Sequence, residues 1–302
     1  GEGGGEQEQP EDIDVQGLVV KLQSPDPNTR AKAVVTLCNF TAKSDKSVTG
    51  SLSHVIPTLV SILHMPRGPS TRDLRTGAAG CLCNLAFHTE SRAKIHEAGV
   101  VPVLVSMLDP EDPFVSAHAA GALWSLLVGS DENKDLLAEC NGIDPLVEML
   151  STGDAFAQSQ AAGALSESCC QNARNKLLVG QSGAIPVILT LAAEGAPQLQ
   201  RAAMLCLCNL LASCDPNKAR AVESNALESV IGVLHQDDVG SETLAAALGA
   251  IVNLPRPSTE TSQKLAQSLS FKERVKDLTT DQSPNVVRNA EKVLQWLKRG
   301  LQ

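Results

Sequence analysis

The segment Leu82-Cys83-Asn84-Leu85 returns as Leu207-Cys208-Asn209-Leu210, and more loosely as Leu37-Cys38-Asn39-Phe40 and Ile251-Val252-Asn253-Leu254. Residues 119–126 and 161–168 stand in the same register as residues 78–85, which places six markers at positions 39, 84, 125, 167, 209 and 253. Their separations are 45, 41, 42, 42 and 44. A nearly fixed period of about 40 to 47 residues belongs to solenoids of two- or three-helix units, each of which buries its apolar face against its neighbours. Length therefore does not count globular domains here: the 302 residues read as one stack of similar units.

Composition sets the class of those units. The chain is 43% hydrophobic but only 2% aromatic, with no Tyr, so its core is built from Ala, Leu, Val and Ile. Small and unbranched residues favour closely packed helices over a sheet, and the expected fold class is all-α. A formal charge of −9 argues against general attraction to nucleic acid or anionic lipid, and no direct nucleic-acid partner is expected. No apolar run reaches the roughly 18 to 20 residues of a membrane span, and the Gly-Glu-rich start has no secretory pattern. Nine cysteines, an odd number set mostly in apolar helical patterns, fit buried thiols in a reducing compartment. The expected location is cytoplasmic, with the nucleus as the alternative; peripheral membrane attachment would need a segment upstream of this sequence.

The expected organisation is an acidic, disordered tail over 1–12 followed by a single repeat domain over 13–302. Its units are approximately 13–54, 55–99, 100–142, 143–183, 184–225 and 226–270, closed by a helical cap at 271–302. Each unit reads as a short helix stopped by glycine (Gly99, Gly142, Gly183), a medium helix opening Ile-Pro or Val-Pro, and a long marker helix. Residues 64–73 hold about four residues more than the equivalent turn of the next unit and read as a long loop, with Ser70-Thr71 beside Arg67 and Arg72. Phosphorylation there would create a charge-assisted clasp.

The order of short helix, Gly, Ile-Pro-x-Leu-Val, Asp/Pro turn and Ala-Ala-x-Ala-Leu-x-Asn-Leu resembles the armadillo repeat over about residues 13–300. The resemblance implies a right-handed superhelix of about six three-helix units whose long helices line a concave groove for segments of other proteins. It also assigns Asn39, Asn84, Asn209 and Asn253 to the groove, where an amide offers both a donor and an acceptor to a passing backbone. Positions four and seven before each marker share its face. These add Lys32 and Val35; Gly77 and Gly80; His118 and Gly121 before Ser125; Gln160 and Gly163 before Glu167; Ala202 and Leu205; Ala246 and Gly249. Nuclear-import receptors of the family carry Trp four residues before Asn; this chain does not, so classical basic localisation signals are not the expected ligand. The glycines there would let a partner helix approach closely. Eleven positions before the marker, Phe114 and Phe156 replace the polar residues of other units and are candidate anchors.

The expected function is a non-enzymatic protein–protein scaffold, similar to armadillo-only proteins that tether organelles or docking complexes. One alternative is a permanent structural subunit of a larger assembly. An alternative of another class is a cysteine-dependent enzyme or metal-binding regulator. Residues two apart on a helix point roughly 200° apart, so Cys81/Cys83 and Cys206/Cys208 do not present two ligands to one metal, and no metal or other cofactor is expected. No Ser/His/Asp arrangement, phosphate loop or carboxylate dyad has supporting context.

Overall fold

The computed structural model describes residues 14–43, 52–256 and 260–299. The expected acidic tail lies outside the described residues. Among those residues the chain is helical throughout, and it packs as two compact units, residues 1–100 and 101–302.

In the first unit, α1 (Val15–Leu22) packs on α2 (Pro27–Lys43), a 3-10 turn (Leu52–Val55) leads directly into α3 (Ile56–Leu63), and α4 (Pro69–Ala86) and α5 (Thr89–Glu97) follow. Asp14 caps α1 by accepting from the Gly17 amide at 2.8 Å, and Pro57 occupies the first turn of α3. The two marker helices, α2 and α4, lie side by side. The long loop expected over 64–73 is shorter than that, because α4 starts at Pro69 and takes up most of the extra residues as helix. Ser70 and Thr71 form its first turn, with the Thr71 hydroxyl donating to Pro66 O at 2.6 Å.

The second unit repeats one arrangement. Its long helices are α7 (Pro113–Leu127), α10 (Ala155–Cys169), α13 (Pro197–Leu211), α16 (Ser241–Asn253) and α19 (Pro284–Arg299), each packed on the next. Medium helices α6 (Val101–Val105), α9 (Ile143–Thr152), α12 (Ala184–Glu194) and α15 (Ala226–Leu234) pack on the long helices that follow them. Short helices α8 (Asp131–Glu139), α11 (Ala173–Gln181) and α14 (Asp215–Glu223) form a third row. After α17 (Glu260–Gln267), α18 (Leu269–Asp277) opens the cap two residues ahead of expectation. Val286, Ala290, Val293 and Leu297 bury one stripe of α19, while Arg288, Glu291 and Lys292 stay exposed.

Periodic left-handed residues turn the chain between rows. Asn141, Gly183 and Asn225 follow the short helices with φ of 57°, 77° and 55°. The expected stop at Gly142 therefore falls one residue earlier, at Asn141, whose side chain is among the few that tolerate this conformation.

The long helices are buried on most sides, as helices in the middle of a stack must be. Ala and Gly make this possible by letting backbones approach. Gly163 of α10 is buried, and a Cβ built there would lie 2.4 Å from Trp124 Cδ2 on α7. Gly249 of α16 likewise faces Cys208 Sγ, 2.9 Å from its would-be Cβ. These glycines admit neighbours from within the stack, not a partner helix from outside. Helix propensity alone favours Ala over Gly by about 1 kcal/mol, whereas overpacking a core costs about 1–3 kcal/mol. Gly163→Ala is therefore expected to lower the urea midpoint, and Gly232→Ala, on exposed α15 surface with nothing within 4 Å, to raise it. A stabilising Gly163→Ala would show that the indole moves away without cost.

Candidate functional site

The marker asparagines are partly committed to the stack. Asn84 Nδ2 lies 3.4 Å from Cys38 O and 3.1 Å from Thr41 Oγ1 on the preceding marker helix. Asn209 Nδ2 donates to Ser166 O at 3.2 Å and Ser166 Oγ at 3.1 Å, and Asn253 Nδ2 donates to Cys208 O at 3.3 Å. Asn289 continues the device from α19 to Ala245 O at 2.8 Å. In each the amide donor joins one repeat to the one before it, while the carbonyl Oδ1, which takes no part in these bonds, is an acceptor the amide can offer a ligand. All three markers are half-buried, whereas Asn39, Lys32 and Val35 in the first unit are exposed.

Other expected positions separate by burial. Ser125 is 6% exposed and donates to Gly121 O at 3.2 Å; Ala202 and Ala246 are buried at 4%. Gly80, Gly121 and Gly163 are buried too, because the row that helical offsets select dips into the seam between adjacent long helices. His118, Gln160 and Glu167 remain half-exposed.

A second, buried polar ladder was not singled out from the sequence. Asn133, Asn175 and Asn217 open the short helices and are no more than 2% exposed. Asn175 Nδ2 donates to Lys134 O at 2.8 Å and Ser168 O at 3.2 Å; Asn217 Nδ2 donates to Lys176 O at 2.7 Å and Leu210 O at 3.2 Å. The adjoining lysines reach forward: Lys134 Nζ donates to Cys170 O at 2.9 Å, and Lys176 Nζ to Ala212 O at 2.5 Å. Cys170 and Ala212 are the C-caps of α10 and α13, so the buried ammonium groups sit where unpaired helix carbonyls gather negative charge. The detectable signal is the recurrence of Asn-Lys at 133, 175 and 217 with a spacing of 42 residues.

The two candidate anchors come together around one histidine. The His118 ring lies 4.6 Å from Phe114 in a tilted contact and 5.7 Å from Phe156 in an edge-to-face contact, both within the aromatic range. His118 Nδ1 is 2.9 Å from Phe114 O. A carbonyl only accepts, so Nδ1 is the donor in this contact, and in the neutral tautomer with that proton Nε2 is an acceptor. Phe114 is 56% and Phe156 50% exposed, so neither is tucked away over its turn. Asp112 and Asp154, two residues ahead of each Phe, cap α7 and α10 by accepting from Val115 N and Ala157 N. A cleft of about 150 Å³ opens beside these helix starts, lined among others by Asp109, Pro113, Glu148, Met149 and Ala157.

A family model of the armadillo/beta-catenin-like repeat matches residues 130–167. The chain is 26% identical to vacuolar protein 8 of Schizosaccharomyces pombe over 128 residues, which make up 42% of this chain and 22% of that relative's length. An engineered protein of known structure superposes with a TM-score of 0.78 at 24% identity, covering 94% of this chain and 68% of its own. A designed armadillo repeat protein in complex with the peptide (KR)4 superposes with a TM-score of 0.65 at 21% identity, covering 80% of this chain and 99% of its own. The fold of the chain is that of an all-α armadillo-repeat solenoid.

Among the described residues, no three or more His, Cys, Asp or Glu side chains converge as metal ligands, and no single helix is long and apolar enough to cross a membrane. All nine cysteines are free thiols. Burial pushes Cys169 up to about 12 and Cys206 well above the ordinary value. Cys38 moves the other way: a hydrogen bond with the Cys81 thiol on α4 holds it down at about 7, against the opposing effect of its own burial. Since the thiolate is the nucleophile, iodoacetamide is expected to alkylate Cys38 first, with a rate that climbs steeply up to about pH 7 and flattens above it. Cys169 and Cys206 react only after unfolding. Peptide mapping by mass spectrometry reads this order, and a Cys38 that stays inert until pH 9 would contradict the thiol pairing.

Proposed function

We propose that this chain is a non-enzymatic scaffold that binds an extended or helical segment of a partner protein on the face of its long helices, the counterpart of the family groove. The observation that carries this reading is the half-exposed Phe114–His118–Phe156 cluster on two adjacent long helices, in a unit whose other long-helix apolar side chains are largely buried. Aromatic side chains standing out of a rigid helical floor are the usual anchors of protein interfaces. Gln160, Glu167, Asn209 and Asn253 supply polar contacts on the same row in the second unit; Lys32, Asn39 and Asn84 supply them in the first. Ser125, being buried, acts by supporting α7 from within. The peptide held by a designed protein of similar fold supports a peptide ligand for this architecture. Free thiols at all nine cysteines support work in the reducing cytoplasm.

The test is to pan a random-peptide library on the immobilised chain and follow hydrogen exchange with the enriched peptides bound. Protection is expected in α7, α10 and α13, with the medium helices α9, α12 and α15 unchanged. Protection confined to the medium helices, or no enrichment from a folded chain, would overturn the reading.

A further inference from the structure

We propose that the Phe114–His118–Phe156 cluster is a docking point for an arginine side chain in a basic segment of the partner. This rests on the protein-binding reading above and narrows it to one ligand chemistry.

The first ground is the shape and polarity of the cluster. Two half-exposed phenyl rings offer π-systems to a ligand, and the planar guanidinium group stacks on such rings better than the compact ammonium of lysine. The imidazole between them is held by its Nδ1–H on Phe114 O, and in the neutral tautomer with that proton Nε2 can accept from a guanidinium N–H. Arginine can give one of its five N–H donors to Nε2 while the rest stay in solvent at this half-exposed site.

The second ground is charge. Residues 101–172 hold eleven Asp or Glu and a single base, Lys134. That lysine is 3% exposed and donates inward to Cys170 O and Asp131 Oδ1, so it presents no positive charge to a ligand. The chain as a whole has a formal charge of −9, so these repeats carry its acidic excess while the rest is close to balanced. Within these repeats Asp112 and Asp154 are partly offset by the helix N-termini they cap, but Glu111, three residues before Phe114, and Glu148 are exposed. A cationic side chain is drawn to an acidic excess of this size, and the attraction falls off over a Debye length of about 8 Å at physiological ionic strength. The same field repels phosphate backbones and acidic peptides, although aromatic rings alone would also suit a nucleobase.

The arrangement differs from a ladder of Trp and Asn reading successive lysines. It is one anchoring point at the N-terminal ends of α7 and α10, two aromatic faces wide.

The test uses fluorescence anisotropy with a labelled peptide of alternating glycine and arginine, and its twin in which citrulline, a neutral isostere, replaces arginine. The arginine peptide is expected to bind the full chain about tenfold tighter or better, a ratio worth about 1.4 kcal/mol. Phe114→Leu with Phe156→Leu removes the π faces and leaves every charge in place; both side chains are about half-exposed, so circular dichroism is expected to show an unchanged fold. That double variant is expected to lose most of the arginine preference. Equal binding of the two peptides, or an arginine preference that survives the double variant as unspecific charge attraction, would overturn the inference. If library peptides without arginine protect the long helices and do not need either Phe, the scaffold reading stands and this inference fails. If no peptide protects the long helices, both fail.

Discussion

The fold of the second unit depends on hydrogen bonds that cross from one repeat to the next inside it. Asn175 gives its amide to a backbone carbonyl of the preceding repeat and to the end of its own long helix, and Asn217 does the same one repeat later. Lys134 and Lys176 answer in the other direction, each closing the C-terminus of the next long helix. Apolar packing between helices rich in Ala and Leu is non-directional and would tolerate a slip along the helix axis. A buried amide does not tolerate one, because a carbonyl left unpaired inside the protein costs about 1–3 kcal/mol. Taking an ammonium group out of water costs several kcal/mol, so a lysine at these depths is stable only where carbonyls and a helix C-terminus receive it.

With register fixed in the short-helix row, the long-helix row has fewer structural duties. Its marker asparagines still donate across the seam, but from half-buried positions with one oxygen to spare. Its glycines are used for close approach by Trp124 and Cys208 of neighbouring helices, which brings the repeats together and leaves the long side chains at the helix starts outside. Phe114 and Phe156 are the consequence: apolar, rigid and about half-exposed where the polar Gln198 and Glu242 stand in later repeats. Glu242 pairs instead with Arg201 at 3.0 Å across α13 and α16, so the same helix-start position is closed by an ion pair there and by an aromatic cluster here.

Much of this was legible in the sequence. The Leu-Cys-Asn-Leu recurrence, with residues 119–126 and 161–168 in register with 78–85, placed all six marker helices, because small apolar residues at helical spacing leave few other ways to bury the chain. Phe114, Phe156 and His118 were each singled out by their offset from a marker. Their convergence was not legible, since it depends on how far α10 lies from α7. The Asn-Lys ladder escaped for another reason: Asn133 and Lys134 stand on a short, polar helix, and only the stack makes them buried. Helical offsets also overstated the open face, as Ala202, Ala246 and Ser125 show, because a neighbouring helix covers residues that an isolated helix would expose. At residues 64–73 the extra residues lengthen a helix where a loop was expected, since Pro69 is as good a helix start as a loop residue.

The most direct measurement of this account is equilibrium urea unfolding of Asn175→Ala beside Asn209→Ala. If the buried ladder holds the stack in register, Asn175→Ala loses about 2 kcal/mol or more, because two buried carbonyls lose their donor, while Asn209→Ala, half-exposed and open to water, loses about 1 kcal/mol or less. Equal losses, or an Asn175→Ala as stable as the wild type, would mean that apolar packing alone sets the register and that the short-helix row is not what frees the long-helix face for binding.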